Sequence, residues 1–212
     1  MAEQPTIAVT GTGLATGAPD QCKLHIALNH FAETAADALA VTAELATKAI
    51  AVIADAAIEQ CAVHTIGLSV QDFFDQSQQK VTAHIGSYQL DVTIRPIDEA
   101  GGVLALLSST VGDALQIRGI NLTIEDPEPL RSQARRLAIQ DAKRRAAEIS
   151  DEVGVRLGPI LSIQDESAGP SNFVQPRGRL TSGHVAAAAN VPIEAGNVSA
   201  FSAITLIYAI EV

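Results

Sequence analysis

Five histidines, two cysteines, a cluster of glycines and one helix crowded with arginine are the residues of this chain whose chemistry invites a function. His25, His30, His64, His84 and His184 are the natural candidates for a metal centre, yet none stand in an HxH or HExxH spacing, and neither Cys22 nor Cys61 joins them in a ligand cluster. No metal and no cofactor is expected. Gly11, Gly13 and Gly17 follow the alternating stretch Thr6 to Thr12 and invite a phosphate-binding reading. A dinucleotide fingerprint needs its third glycine at position 16, with a helix opening there. This chain has Thr16, then Ala18, Pro19, Asp20 and a second alternating stretch. A glycine-rich turn or bulge closing a first strand is the expectation instead.

Hydrolytic chemistry finds equally little. There is no GxSxG elbow, and Ser108 and Ser109 lie in an apolar helical stretch, where hydroxyls bond back to the preceding turn. Glu125 and Asp126 precede a helix whose positive end suits acids without any catalytic role. No catalytic residue is assigned, and the chain reads as a non-enzyme. The two cysteines form no CxxC pair. Cys22 shares the apolar face of Cys22, Leu24, Ile26 and Leu28, so both thiols are expected to be buried and unreactive, with a Cys22 to Cys61 bridge left open.

The arginine-rich stretch, Leu130 to Gly154, is the most informative. Ala134, Ala138, Ala142 and Ala146 recur at every fourth position and form one ridge of a helix, so its backbone can sit close to whatever it covers. The same helix carries Arg131, Arg135, Arg136, Lys143, Arg144 and Arg145, six of the chain's 14 basic residues. These do not form the single stripe that a nucleic-acid contact would show. Asp141 can pair with Arg144 or Arg145, and Arg144 with Glu148, as a solvated, salt-bridged helix would. Arg131, Arg135 and Arg145 flank the ridge and are expected to reach acidic groups on a neighbouring subunit.

The positioning elements follow from periodicity. Thr6 to Thr12 and Asp20 to Phe31 alternate as strands, and Thr34 with Asp37 opens a helix from Ala35 to Ile58. Val63 to Phe74 and Val81 to Ile94 form a hairpin around the polar run Asp75 to Lys80. Pro96 ends it, with Asp98 as N-cap of a helix from Glu99 to Val111. Gln116 to Ile124 is a strand, the long helix runs to Gly154, and Val155 to Gln164 and Asn197 to Val212 are strands. Between the last two, residues about 165–192 read as a flexible loop. The fold class is α+β: a mixed, largely antiparallel sheet with split βαβ units and helices packed on one face.

A length of 212 residues is read as a single domain, 1–212. With 47% apolar but only 3% aromatic residues, its core must be built from Ala, Val, Ile and Leu. The net charge of −10 disfavours nucleic acid and anionic lipid as partners. No apolar run is long enough for a membrane span. The start Met1-Ala-Glu-Gln-Pro shows no secretory signal, so the chain as it stands reads as cytoplasmic, or as periplasmic or secreted if its native start was trimmed.

Several motifs fall into one pattern: VTGTG and APD near the start, VHTIGLSVQDFFD in the hairpin, LRSQARRLAIQDAKRRAAEISDEVGVRLGPILSI in the long helix and the next strand, and PIEAGNVSA before the last. Together they resemble the SIMPL (DUF541) family, from about Ile7 to Glu211. The resemblance implies an α+β domain that builds ring-like or barrel-like homo-oligomers, mostly exported to the bacterial envelope, with no established enzymatic activity. It implies a self-assembling protein, such as a scaffold or a stress-associated envelope factor. A small-molecule or peptide-binding module, using exposed strand edges, is the alternative. If the ridge arginines set subunit contacts, exchanging Arg131 and Arg135 for alanine changes the sedimentation profile; an unchanged profile removes them from the interface.

Overall fold

The computed structural model describes residues 5–75, 79–166, 173–174, 193 and 196–211. Along the chain run β1 (Thr6–Gly17), β2 (Gln21–Ala32), α1 (Ala35–Asp55), β3 (Gln60–Asp75), β4 (Lys80–Arg95), α2 (Ala100–Val111), β5 (Leu115–Thr123), α3 (Glu128–Val153), β6 (Arg156–Asp165), β7 (Phe173–Val174) and β8 (Val198–Glu211). The α+β class is as expected. The strands divide into two sheets, and the chain into two compact units, each with its own core.

One unit holds β2 to β5. Its sheet order is β3-β4-β2-β5, and every ladder is antiparallel. β2 and β3 consequently run in the same direction with β4 between them and α1 as their crossover. β4 and β5 repeat this around β2, with α2. Two interleaved split βαβ units result, in the order of a ferredoxin-like sheet. The expected mixed sheet is absent here for a simple reason: each crossover skips one position, and an antiparallel strand fills the gap. Cys22, Leu24, Ile26 and Leu28 of β2 share a core with Leu90, Val92 and Ile94 of β4, Ala46, Ala49 and Ile53 of α1, and Val103, Leu104 and Leu107 of α2.

Thr34 caps α1 as its sequence proposes, accepting from the Asp37 N–H at 3.1 Å and donating to the Asp37 carboxylate at 2.7 Å. The helix stops at Asp55 rather than Ile58, because Ala57 takes a positive φ of 50° and turns the chain toward β3. Asp98 is not the cap of α2. It lies in a short 3-10 turn, Ile97–Glu99, and α2 begins after it at Ala100.

The other unit places β8 between β1 and β6, again antiparallel on both sides, with β7 pairing the start of β8. Here α3 covers β1 and β8. The glycine cluster does not end the first strand: β1 runs through Gly11 and Gly13 to Gly17 without a break in its register against β8. Its odd-numbered residues Val9, Gly11, Gly13 and Ala15 face α3 and are buried. β6 likewise extends to Asp165, and Phe173 and Val174 pair with Ala200 and Ser199; the rest of the expected 165–192 loop, bar Glu166, lies outside the described residues.

The glycines of β1 have a steric purpose. A Cβ added at Gly11 would stand 2.2 Å from the Ala138 carbonyl oxygen and the Ala142 nitrogen, and one at Gly13 would stand 2.1 Å from the Ala134 carbonyl oxygen. These are backbone atoms and cannot step aside. Gly13→Ala is expected to destabilise the protein by about 3 kcal/mol, the upper range for forcing one methyl group into a packed interior. Gly158→Ala, whose Cβ would meet Ala209 at 3.1 Å, should cost far less. Urea unfolding of the two variants checks the contrast; equal midpoints would refute it.

Candidate functional site

α3 opens where Asp126 accepts the Glu128 N–H at 3.0 Å and closes at Gly154, whose φ of 74° suits the left-handed C-cap. Asp126 thus serves the helix end, as read from its position. Between these points Ala134, Ala138, Ala142 and Ala146 are fully buried on the sheet. The alanine ridge and the strand glycines are two halves of one contact.

That closeness carries the flank of α3 to the outer edge of β1. Asp141 is 129 residues distant in sequence from Thr12, yet its carboxylate accepts the Thr12 backbone N–H at 3.0 Å. The same carboxylate binds Arg144 at 2.6 Å and Arg145 Nε at 2.9 Å, and Arg144 spans to Glu148 at 2.6 Å. Arg145 also donates to the Thr10 carbonyl oxygen at 3.4 Å. The three intrahelical pairs match the sequence spacing; the two contacts to β1 do not arise from it. A hollow of about 480 Å³ lies here, floored by Thr12 to Leu14 and walled by Leu137, Gln140, Asp141, Arg144 and Arg145.

Electrostatics follow the geometry. The Thr12 N–H, and then the Arg144 and Arg145 guanidiniums, hold the Asp141 carboxyl below the usual carboxylate range. Arg144 is held further into its charged state, first by Glu148 and then by Asp141. Of the arginines expected at a subunit interface, Arg145 is committed to Asp141 and β1, Arg135 pairs with Glu128, and Arg131 also has a partner.

The histidines scatter. His25 Nδ1 lies 2.5 Å from Asp91, and His84 Nδ1 lies 2.8 Å from Asp72, each across a strand pair. His64 stands opposite Asp91 on the other side of β4, not opposite His84. His184 lies outside the described residues. Among the described residues no three His, Cys, Asp or Glu side chains form a metal-holding group. Ser109 donates back to the Leu106 carbonyl at 2.8 Å, as an apolar helix predicts. Cys22 and Cys61 are both free; each pairs in register with Ile94 from opposite sides of β4, two strand spacings apart and beyond disulfide reach. Burial pushes the Cys22 thiol up to about 11 and raises Cys61 as well.

A family model described as SIMPL, a protein of unknown function (DUF541), matches residues 7–208. The 26 kDa periplasmic immunogenic protein of Brucella melitensis biotype 1 is 30% identical over 220 aligned residues, covering 100% of this chain and 87% of the relative. The protein of the same description from Brucella abortus strain S19 matches to the same extent. The uncharacterized protein YggE of Escherichia coli K12 is 25% identical over 163 residues, 76% of this chain and 65% of the relative.

Because its pKa is depressed, Asp141 contributes stability that is present above the unfolded aspartate value of about 3.9 and is lost as pH falls through the lower folded value. Asp141→Asn removes that titration. The gap in urea midpoint between the wild type and Asp141→Asn is expected to be widest near neutral pH and to close in strong acid. A gap that stays constant with pH contradicts the assignment.

Proposed function

From the premise that this chain belongs to the SIMPL family, we propose that it is a non-enzymatic protein that works as a homo-oligomer in the bacterial envelope, as a scaffold or a stress-associated factor. The observation that carries self-assembly is the hairpin of β3 and β4. Each strand has 16 residues, and the arm bears Ile66, Leu68, Phe73, Phe74 and Val81 exposed, with Phe31 of β2 beside them. Phe31 and Phe73 stack edge to face at 5.8 Å, yet both rings stay open to solvent. Apolar residues concentrated in this way mark a surface meant to be covered. Among the described residues β3 is also an outer strand, with one side of its backbone unpaired in the sheet.

The envelope part rests on the Brucella relatives, described as periplasmic. No helix among the described residues is long and apolar enough to cross a membrane. The non-enzymatic part is supported by the way the polar residues are used: the Asp141 network ties a helix to a strand edge, and the His–Asp contacts join strand to strand.

Light scattering at micromolar concentration is expected to give a mass several times the 22.1 kDa chain. Replacing Phe73 and Phe74 together by serine should lower that mass while leaving the circular dichroism spectrum unchanged. A wild-type protein that is monomeric at this concentration refutes self-assembly; an oligomer indifferent to the double substitution moves the contact elsewhere.

A further inference from the structure

α3 covers one face of the sheet of β1, β8 and β6, packing on odd-numbered residues of β1 and even-numbered residues of β8. Residues directly opposite in an antiparallel pair share a face. The opposite face therefore holds the even-numbered residues of β1, from Thr6 to Thr16, and the odd-numbered residues of β8, from Ser199 to Ala209. Thr10 and Thr205 join their hydroxyls on it at 2.8 Å. Every one of those β1 residues is exposed, and Leu14 and Phe201, partners in register, are 56% and 42% exposed. A sheet face left to water is ordinarily polar. This one mixes Thr and Ser with Ala, Ile, Leu and Phe, and along β1 and β8 it has no charged residue, in a chain of net charge −10.

We propose that this face packs on the same face of a second copy, sheet on sheet, about a two-fold axis that crosses the strands at Thr10 and Thr205. The proposal rests on the self-assembly reading above and adds to the β3–β4 arm a second contact, for a single isologous contact closes at two chains. Charge favours a second copy as the occupant: two equally acidic chains repel, and least so where neither presents a charge. Shape favours it too. Such an axis reverses the strands, so the bulky row of Leu14 and Phe201 lies over the row of Thr6, Ala209 and Gly158 of the second copy, where no side chain is larger than threonine. Ile207 likewise lies over Ala203. Stacked sheets align within about 30°, and that row stays small on all three strands whichever lies beneath. The nearby acid does not meet its own copy. Glu166, which accepts from Thr205 at 3.1 Å, comes over Ser162 and its hydroxyl. At the usual rise and spacing the face measures about 40 Å by about 14 Å. Over two copies that is about 1,100 Å², enough to clear the roughly 1,000 Å² of a specific interface.

Sedimentation equilibrium of the full chain at micromolar concentration tests this through one disruption and its repair. Leu14→Glu is expected to lower the mass of the assembly at least twofold, with the circular dichroism spectrum unchanged. Adding Thr6→Lys in the same chain should restore the wild-type mass, because the two-fold sets each new glutamate over the new lysine of the second copy. Positions 6 and 14 lie about 27 Å apart along one strand, so the repair can act only between chains. Phe201→Ser, which removes bulk and adds no charge, should also lower the mass and replaces Leu14→Glu if that variant does not fold. A wild-type oligomer whose mass ignores Leu14→Glu and Phe201→Ser overturns the proposal and leaves self-assembly to the arm. Loss of mass in Leu14→Glu without repair by Thr6→Lys overturns the two-fold arrangement. A wild type that is already monomeric overturns the self-assembly reading itself.

Discussion

At their closest points α3 and α1 rest on their strands through side chains no larger than threonine, with glycine directly beneath. α3 presents Ala134, Ala138 and Ala142 to Gly11 and Gly13, while α1 presents Ala38 and Thr42 to Gly86, where an added Cβ would stand 2.3 Å from the Thr42 hydroxyl. The arrangement was reached twice, once in each unit. Glycine costs a strand conformational entropy and a packing side chain. Here the cost is offset by backbone-level contact over several turns, where many weak attractions act at short range. With almost no aromatic bulk available, close approach is how this composition fills its interior.

Everything distinctive about the first strand descends from that approach. A helix at ordinary distance, held off by leucine or phenylalanine, could not extend an aspartate past the strand to its outer edge. Set directly on β1, α3 reaches the Thr12 N–H and the Thr10 carbonyl with residues 141 and 145. The acidic chain therefore guards one sheet edge with a charged pair, while the β3–β4 arm carries its apolar side chains uncovered. The two edges have opposite characters.

Local order was plain in the sequence. The four-residue alanine period, the pairs of Asp141 with Arg144 and Arg145, the Thr34 cap and the Gly154 stop all depend on residues within one turn or two of each other. The α+β class and the split βαβ pattern were legible from the alternation of periods. What the sequence concealed was what each element meets. Gly11 and Gly13 look like a turn because glycine usually breaks a strand, and only the alanine ridge, more than a hundred residues away, explains them. For the same reason Asp141 reads as a helix ion-pair residue until Thr12 is placed beside it. The division into two sheets was equally hidden, since β1 and β8 lie at opposite ends of the chain.

The claim on which the account rests is that α3 is held by closeness and not by apolar bulk, and Ala138→Leu tests it most directly. Leucine is nearly as good a helix former as alanine and more hydrophobic, so neither helix propensity nor burial argues against it. Hydrogen exchange read along α3 is predicted to show the amides around residues 138–142 losing protection by at least tenfold, as the helix lifts from β1. Unchanged or increased protection in that variant would contradict the account, for it would mean that the ridge tolerates bulk and that the glycines beneath it are incidental.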